Sequence, residues 1–303
     1  MLDEEQRSPY ADAGCGTSSG AVSAVALDVG RAGAHRAALD QMSARVRRLW
    51  SAGDEARIEA GYRAGAEAFV ARATLGPGVS VLDAACGSGN VAIAAARTGA
   101  TVTAVDIVAS SVDTAAARAI REAVTLSAEQ ADVERLPHAD AQFDVVLSLF
   151  GVMFAARPDR VLAELARVAR PGGIVRVGSW TPTGFMGDFY SMHDALVGSP
   201  LDAPDPLGWG DAATVSEWFD ETVWEVAVEE RAIALRYPHT SAGTAELYRA
   251  AHGPTAHAFE TLDVDERAEF ALQVSSHWRR SHRSTARDTL QTTEYLEIVA
   301  VRR

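Results

Sequence analysis

Residues 79 to 98 constrain the fold more than any other part of the chain. Val79 to Leu82 is an apolar run of strand length that ends in Asp83. It breaks into the small-residue turn Ala84-Ala85-Cys86-Gly87-Ser88-Gly89 and passes into Asn90 to Thr98, an alanine-rich helix former. Glycines at 87 and 89 allow a tight turn and close approach to a ligand, with no Cβ in the way. The helix that follows points its free N–H groups at whatever sits there. In open α/β sheets a strand, glycine turn and helix of this kind bind nucleotides. The turn alone leaves the ligand open, because Gly87 to Ala92 also fits the loose G-x-G-x-x-G/A pattern of dinucleotide binders.

Beyond this unit the chain alternates. Strand patterns at Thr101 to Asp106, Val124 to Ala128, Phe143 to Leu149 and Ile174 to Trp180 are separated by helical ones at Ser110 to Ala123 and Arg157 to Arg170. Such alternation predicts a parallel sheet covered by helices on both faces. After Trp180 a proline- and glycine-bearing segment and a helical stretch, Asp211 to Phe219, precede a strand pattern at Val223 to Tyr237. Two or three helices over Ser241 to His282 separate it from the last strand, Thr289 to Val301. The reading is a polar, mobile arm over 1–20 and a single domain over 21–303. Within it lie N-terminal helices (21–60), a ligand-binding core (61–182) and two insertions (183–222 and 238–288) over the carboxyl edge of the sheet.

Three acids sharpen the ligand class. Asp83 ends the first strand, where a pyrophosphate would disfavour a negative charge and a cationic ligand would accept one. Asp106 ends the second strand, placed for the hydroxyls of a ribose. Asp132 opens Ala131-Asp132-Val133-Glu134-Arg135-Leu136-Pro137, and Phe143-Asp144-Val145-Val146-Leu147-Ser148 follows soon after. Together with Arg170-Pro171-Gly172-Gly173, these segments resemble, over roughly residues 45 to 182, the class I S-adenosylmethionine (SAM)-dependent methyltransferases of the small-molecule, type 11 or quinone-pathway kind. Asp83 to Gly89 resembles the family's first motif, with Ala85 standing where a glycine is common. The resemblance implies a doubly wound, seven-stranded, mostly parallel sheet closed by an antiparallel hairpin, with SAM as cofactor and S-adenosylhomocysteine as product. It also implies that Asp106 holds the ribose and Asp132 the adenine amino group beside the Val133 N–H. The cofactor-binding set expected is Asp83, Ala85, Cys86, Gly87, Asp106, Ile107, Asp132, Val133 and Leu149. For Asp83 the alternative of capping local backbone stays open, and Cys86 reads as a packing residue rather than a nucleophile.

Composition narrows the partners. The 303 residues carry a net charge of −13, which argues against nucleic acid or an anionic membrane as partner. All 28 basic residues are arginine, so lysine Schiff-base chemistry and the usual Tyr-x-x-x-Lys pair of an NAD-dependent oxidoreductase are excluded. Two cysteines, Cys15 and Cys86, make neither a disulfide framework nor a metal site. No apolar run reaches membrane-spanning length and the first residues are unlike a signal peptide, so a cytoplasmic protein is expected. The N-terminal segment is a candidate contact for homo-oligomer formation.

Aromatic residues crowd the segments after the fourth and fifth strands, and an apolar acceptor pocket is expected from Phe150, Phe185 and Phe189, with Trp50 and Tyr62 closing it. Trp50 to Ile58 resembles the family's cofactor-covering segment, in which Arg57 either meets the methionine carboxylate or forms a surface ion pair. No acid-base motif stands out. The candidate bases are His193 and Tyr190, with His252 and His257, because both insertions overhang the acceptor. No metal is expected, since the histidine spacings do not place pairs on one helical face. The function read from the chain is methyl transfer from SAM to a small, largely apolar metabolite, in natural-product tailoring, with carbon slightly favoured over oxygen or nitrogen. A quinone-pathway methyltransferase and an NAD-dependent oxidoreductase are the alternatives.

Overall fold

The structure, a computed structural model, describes residues 40–198 and 203–303. The arm expected over 1–20 and the helical pattern over 21–39 lie outside the described residues. The chain is helical over 40–50 (α1), then forms α2 (Glu55–Glu59) and α3 (Arg63–Ala71). The alternating core follows as β1 (Ser80–Ala84), α4 (Asn90–Ala96), β2 (Thr101–Asp106), α5 (Ala109–Arg121), β3 (Ser127–Gln130), β4 (Phe143–Leu149), α6 (Pro158–Val168) and β5 (Ala169–Trp180). Next come α7 (Phe185–Val197), α8 (Ala212–Trp218) and β6 (Trp224–Tyr237). The chain ends with α9 (Ser241–Ala251), α10 (Gly253–Thr261), α11 (Val264–Arg279), β7 (Arg283–Ser284) and β8 (Thr289–Arg302).

The strands lie in the order β3-β2-β1-β4-β5-β8-β6. The first five run parallel, and β8 is antiparallel to both β5 and β6. This is the doubly wound sheet expected, with an eighth strand added: β7, two residues long, folds back onto Leu290 and Thr289 of β8. β1 and β4 are buried along nearly their whole length, which is why they read as continuous apolar runs rather than alternating ones.

Two boundaries moved from their sequence positions for local reasons. The third strand starts at Ser127 rather than Val124, because Val124 N closes the end of α5 on Ala119 O at 3.0 Å, past Ala123 at φ 54°. A bond of this type spends an orphan helix carbonyl, so the residue cannot join a strand. The fifth strand starts at Ala169, directly after α6, because Ala169 pairs with Phe143 before a register shift brings Ile174 opposite Val145.

Helices from distant parts of the sequence meet above the carboxyl edge. α2 packs on α9, which also contacts α10 and α11, while α7 packs on β8 and α11. The turn before α2 and the turn before α10 touch backbone to backbone: Asp54 N donates to Ala251 O at 2.8 Å. Only glycine fits on either side. A Cβ on Gly53 would stand 2.1 Å from Ala251 O, and one on Gly253 would stand 2.7 Å from Leu49 O. No described helix is long and apolar enough to cross a membrane.

Glu297 interrupts the apolar run of β8, yet its side chain is only 2% exposed. Its carboxylate is shared by Arg72, at the end of α3, and Arg176 of β5, and it accepts from Tyr295 Oη at 3.0 Å. Removing one partner of a buried ion pair leaves an uncompensated charge, which costs about 3–5 kcal/mol. Because Arg72 is 29% exposed, Glu297→Ala is expected to cost about 3 kcal/mol, at the lower end of that range, in urea unfolding.

Candidate functional site

Strand order reverses between β1 and β4, the position where open α/β sheets bind ligands beyond the strand ends. Both strands run into a non-glycine residue in the left-handed region: Ala85, at φ 59°, and Phe150, at φ 56°. Such strain of about 1–3 kcal/mol persists only where the surroundings over-determine it. Here they do. Cys86 N donates to Val105 O at 2.8 Å, and Phe150 N donates to Gly178 O at 2.8 Å. The Phe150 ring stacks on Trp180 with centroids 3.4 Å apart.

A cavity opens over these two residues, with Ala85 and Gly87 on its floor. Asp106, Ile107, Val108 and Ser111 form one wall, and Asp132, Val133 and Glu134 another. Trp50, Glu55, Ile58, Glu59 and Tyr62 lie across it from α1 and α2. Asp106 is aimed by its neighbours, accepting from Gly87 N and from Val108 N, each at 2.9 Å. Asp132 accepts from Glu134 N at 2.9 Å and from the Ser43 hydroxyl.

Glu59 leans onto the glycine turn. It accepts from Ser88 N at 2.8 Å and Ser88 Oγ at 2.5 Å. A Cβ on Gly87, which sits at φ 53°, would stand 2.0 Å from Glu59 Oε1, so the turn and the glutamate occupy one close contact. Behind the turn, Arg118 donates to Ser88 O at 2.7 Å and to Asn90 Oδ1 at 2.9 Å.

Among the described residues the lining therefore holds five carboxylates, Glu55, Glu59, Asp106, Asp132 and Glu134, and no arginine. Burial raises the pKa of Asp106, pushes Glu59 up to about 7 and Glu55 well above the carboxylate range. Gathered acids in a dry pocket favour a cation, which restores their ionised forms.

The far end of the same cavity is aromatic. The Tyr62 ring meets Phe150 edge-on at 5.5 Å, Trp50 lies 4.6 Å from Phe154, and Phe154 lies 5.2 Å from Tyr190. Tyr190 Oη is 3.1 Å from His252 Nε2, and His252 Nδ1 is 2.8 Å from Thr255 Oγ1.

Comparison with known proteins bears on what this geometry serves. A model of the methyltransferase domain family matches residues 82–177. The Mycobacterium tuberculosis protein Rv1405c, itself uncharacterized, is 32% identical over 264 residues, 86% of this chain and 96% of that one. The chain belongs to the class I SAM-dependent methyltransferases. The ubiquinone/menaquinone biosynthesis C-methyltransferase UbiE of Bdellovibrio bacteriovorus is 41% identical over 102 residues, 33% of this chain and 43% of that one. In fold the chain resembles the putative methyltransferase BH2331 of Bacillus halodurans, with a TM-score of 0.55 at 16% identity over 78% of this chain and 98% of that one.

SAM is the cofactor of this methyltransferase, and the residues present suit it. The lining acids would favour its positive charge, Asp106 at the end of β2 would accept from ribose hydroxyls, and the glycine turn leaves backbone room. The cavity has a volume of about 110 Å³, and two of its lining residues, Glu59 and Ser43, are hydrogen-bonded to Ser88 and Asp132.

Of the residues singled out in the sequence, Ala85, Gly87, Asp106, Ile107, Asp132, Val133, Trp50, Phe150 and Tyr190 line the main cavity. Asp83, Cys86 and Leu149 instead line a small recess that shares Glu59, Tyr62, Ala85 and Phe150 with it. Within the recess Asp83 caps the start of α4, accepting from Ala92 N at 2.8 Å, and burial pushes its pKa up to about 8.

Three placements differ from the sequence reading. Phe185 packs on His277 and Trp278 at 4.0 and 5.0 Å and lines neither this cavity nor the recess. Phe189 is fully buried among Tyr190, Tyr248 and His252, behind the wall rather than on it. His193 is turned away from the main cavity, and His252 takes the position beside Tyr190. α7 turns about 100° per residue, so Phe185 and Phe189 lie about 40° apart on a face packed against other side chains, while Met186 and Tyr190, on another face, reach the cavity. Arg57 is exposed and His257 does not line the cavity.

Sequence reasoning missed Glu55, Glu59 and Ser43. The one available signal was the i, i+4 pair of acids flanking Ile58, one helix ahead of the first strand.

Two tests follow from this geometry. Asp106→Ala removes the two-oxygen acceptor at the ribose position, and SAM affinity is expected to fall by about tenfold or more, measured by calorimetry on the folded variant. Raised carboxyl pKa values make the folded ligand-free protein bind protons more tightly than the unfolded chain. The stability that Glu59 contributes is thus complete below its ordinary value of 4.5 and lost as pH rises to about 7. Glu59→Gln is expected to flatten that part of the curve of stability against pH.

Proposed function

We propose that this methyltransferase carries the methyl group of SAM to a small, flat, largely apolar metabolite, at an atom that gives up a proton. The observation that carries this reading is a single cavity joining the acidic, glycine-floored end to the Tyr190–His252 pair. SAM supplies an electrophilic methyl group on a positive sulfur, with a neutral thioether as leaving group. The chain's own residues then have three tasks: to place the acceptor in line, to keep water out and to take the proton.

Aromatic side chains serve the first two. Trp50, Tyr62, Phe150, Phe154 and Trp180 offer flat apolar faces, and such faces also favour a neighbouring positive charge. Tyr190 and His252 serve the third. With the imidazole hydrogen on Nδ1, beside Thr255 Oγ1, Nε2 is left bare opposite the Tyr190 hydroxyl. Burial holds His252 neutral and Tyr190 protonated, each pKa displaced in the direction that disfavours charge. As the acceptor atom gains the methyl group, its proton passes to Tyr190 Oη, and the tyrosine's own proton passes to His252 Nε2. Glu55, which accepts from Gly253 N beside His252, lies close enough to act electrostatically on Tyr190.

The same pair serves a hydroxyl, which loses its proton as it attacks, and an aromatic carbon, which loses it afterwards. Similarity to a ubiquinone/menaquinone C-methyltransferase favours carbon and a quinol-like ring. General acid-base catalysis contributes about 10²–10⁴-fold. Tyr190→Phe and His252→Gln are therefore expected to lower kcat at least about 10²-fold while leaving SAM affinity unchanged. Transfer of labelled methyl from SAM to a panel of phenols and dihydroxynaphthalenes measures this. Full activity in both variants would remove the pair from the mechanism.

A further inference from the structure

Beyond the aromatic wall lies a second cavity of about 440 Å³, within the roughly 300–1,000 Å³ common for small-molecule pockets. It shares Trp50, Phe154, Ala155 and Tyr190 with the first, so these side chains form a partition between two adjoining spaces. Much of its surface is apolar, from Leu49, Met153, Leu207 and Pro254. Its solvent side carries the exposed residues Asp194, Ala195 and Asp205.

One buried polar atom breaks the apolar lining. His193 is 5% exposed, and its Nε2 has no hydrogen-bond partner among the described residues. With the imidazole hydrogen on Nδ1, on the side of the Pro254 backbone, Nε2 is a bare acceptor. A buried acceptor without a donor is costly to keep, and methyl transfer at the Tyr190–His252 pair makes no use of this one.

We infer that the second cavity holds an arm of the methyl acceptor, and that His193 Nε2 accepts from an O–H or N–H carried on that arm. This rests on the reading of the first cavity as the site of the reacting ring. The substrate class is then an elongated one: a flat hydroxylated ring beside Tyr190, joined to a mostly apolar arm that passes the Trp50–Phe154 partition. A molecule consisting of the ring alone leaves the second cavity empty.

The test uses 4-alkylphenols with methyl, butyl and octyl arms, and an octyl arm ending in a hydroxyl. Binding is measured by calorimetry with S-adenosylhomocysteine present. Affinity is expected to rise at least tenfold from methyl to octyl. Ala195→Trp, an exposed position that lines only the second cavity, is expected to erase that gain and leave 4-methylphenol binding unchanged. His193→Leu is expected to abolish any advantage of a hydroxyl on the arm while keeping the gain from arm length. Affinity indifferent to arm length, or a gain that survives Ala195→Trp, would overturn the second cavity as an arm site and leave the ring site standing. If S-adenosylhomocysteine binds and no phenol of any length does, the ring assignment fails and this inference with it.

Discussion

The contact on which the site depends is the turn after β1, held from two sides by carboxylates. Asp106, at the end of the neighbouring strand, takes the N–H of Gly87, and Glu59, from the helix before the sheet, takes the N–H and hydroxyl of Ser88. Arg118 holds the same turn from behind. Three segments far apart in sequence are thereby tied to one tight loop. A side chain at Gly87 would collide with Glu59, so the residue is small for the protein's own packing as well as for a ligand. Ala85, bent into the left-handed region, carries the strain that a glycine would avoid.

Buried acids define the cofactor end electrostatically. Burial makes a carboxylate harder to ionise, and Glu55, Glu59, Asp83 and Asp106 all show it despite the N–H groups they accept from. Collecting such groups is unfavourable for the ligand-free fold. It suits a ligand with a sulfonium and an ammonium, whose positive charge favours the ionised forms. At the aromatic end burial also disfavours charge, keeping Tyr190 protonated and His252 neutral.

Between the ends, the roof is made by pieces with little sheet of their own. The α1–α2 turn and the α9–α10 turn approach so closely that each needs a glycine, and this brings the Trp50 ring within 5.7 Å of His252. α7 supplies Tyr190 to the same place. On the proposed reading, acceptor recognition falls to the added helices and cofactor recognition to the strand ends, as for loops and insertions carried on a rigid scaffold.

Legibility in the sequence followed the range of the interactions. The strand–glycine turn–helix unit, the alternation to Trp180 and the acids at 83, 106 and 132 are local patterns, and they determined the sheet, its parallel order and the class of cofactor. Strand ends were displaced by a few residues where a helix cap or a register shift claimed them, as at Val124 and Ala169. Tertiary structure alone decided which side chains share a cavity. Along the chain His193 and Tyr190 are the leading candidate bases, yet it is His252 that reaches Tyr190, across 62 positions. Phe189 and Tyr190 are adjacent, but one step of helical rotation sends the first into the core and the second to the cavity wall. Glu59 gave no local sign of meeting Ser88, 29 residues away. Periodicity tells which face of an element is buried. It does not tell which distant face will be opposite, because that is fixed only when the helices pack.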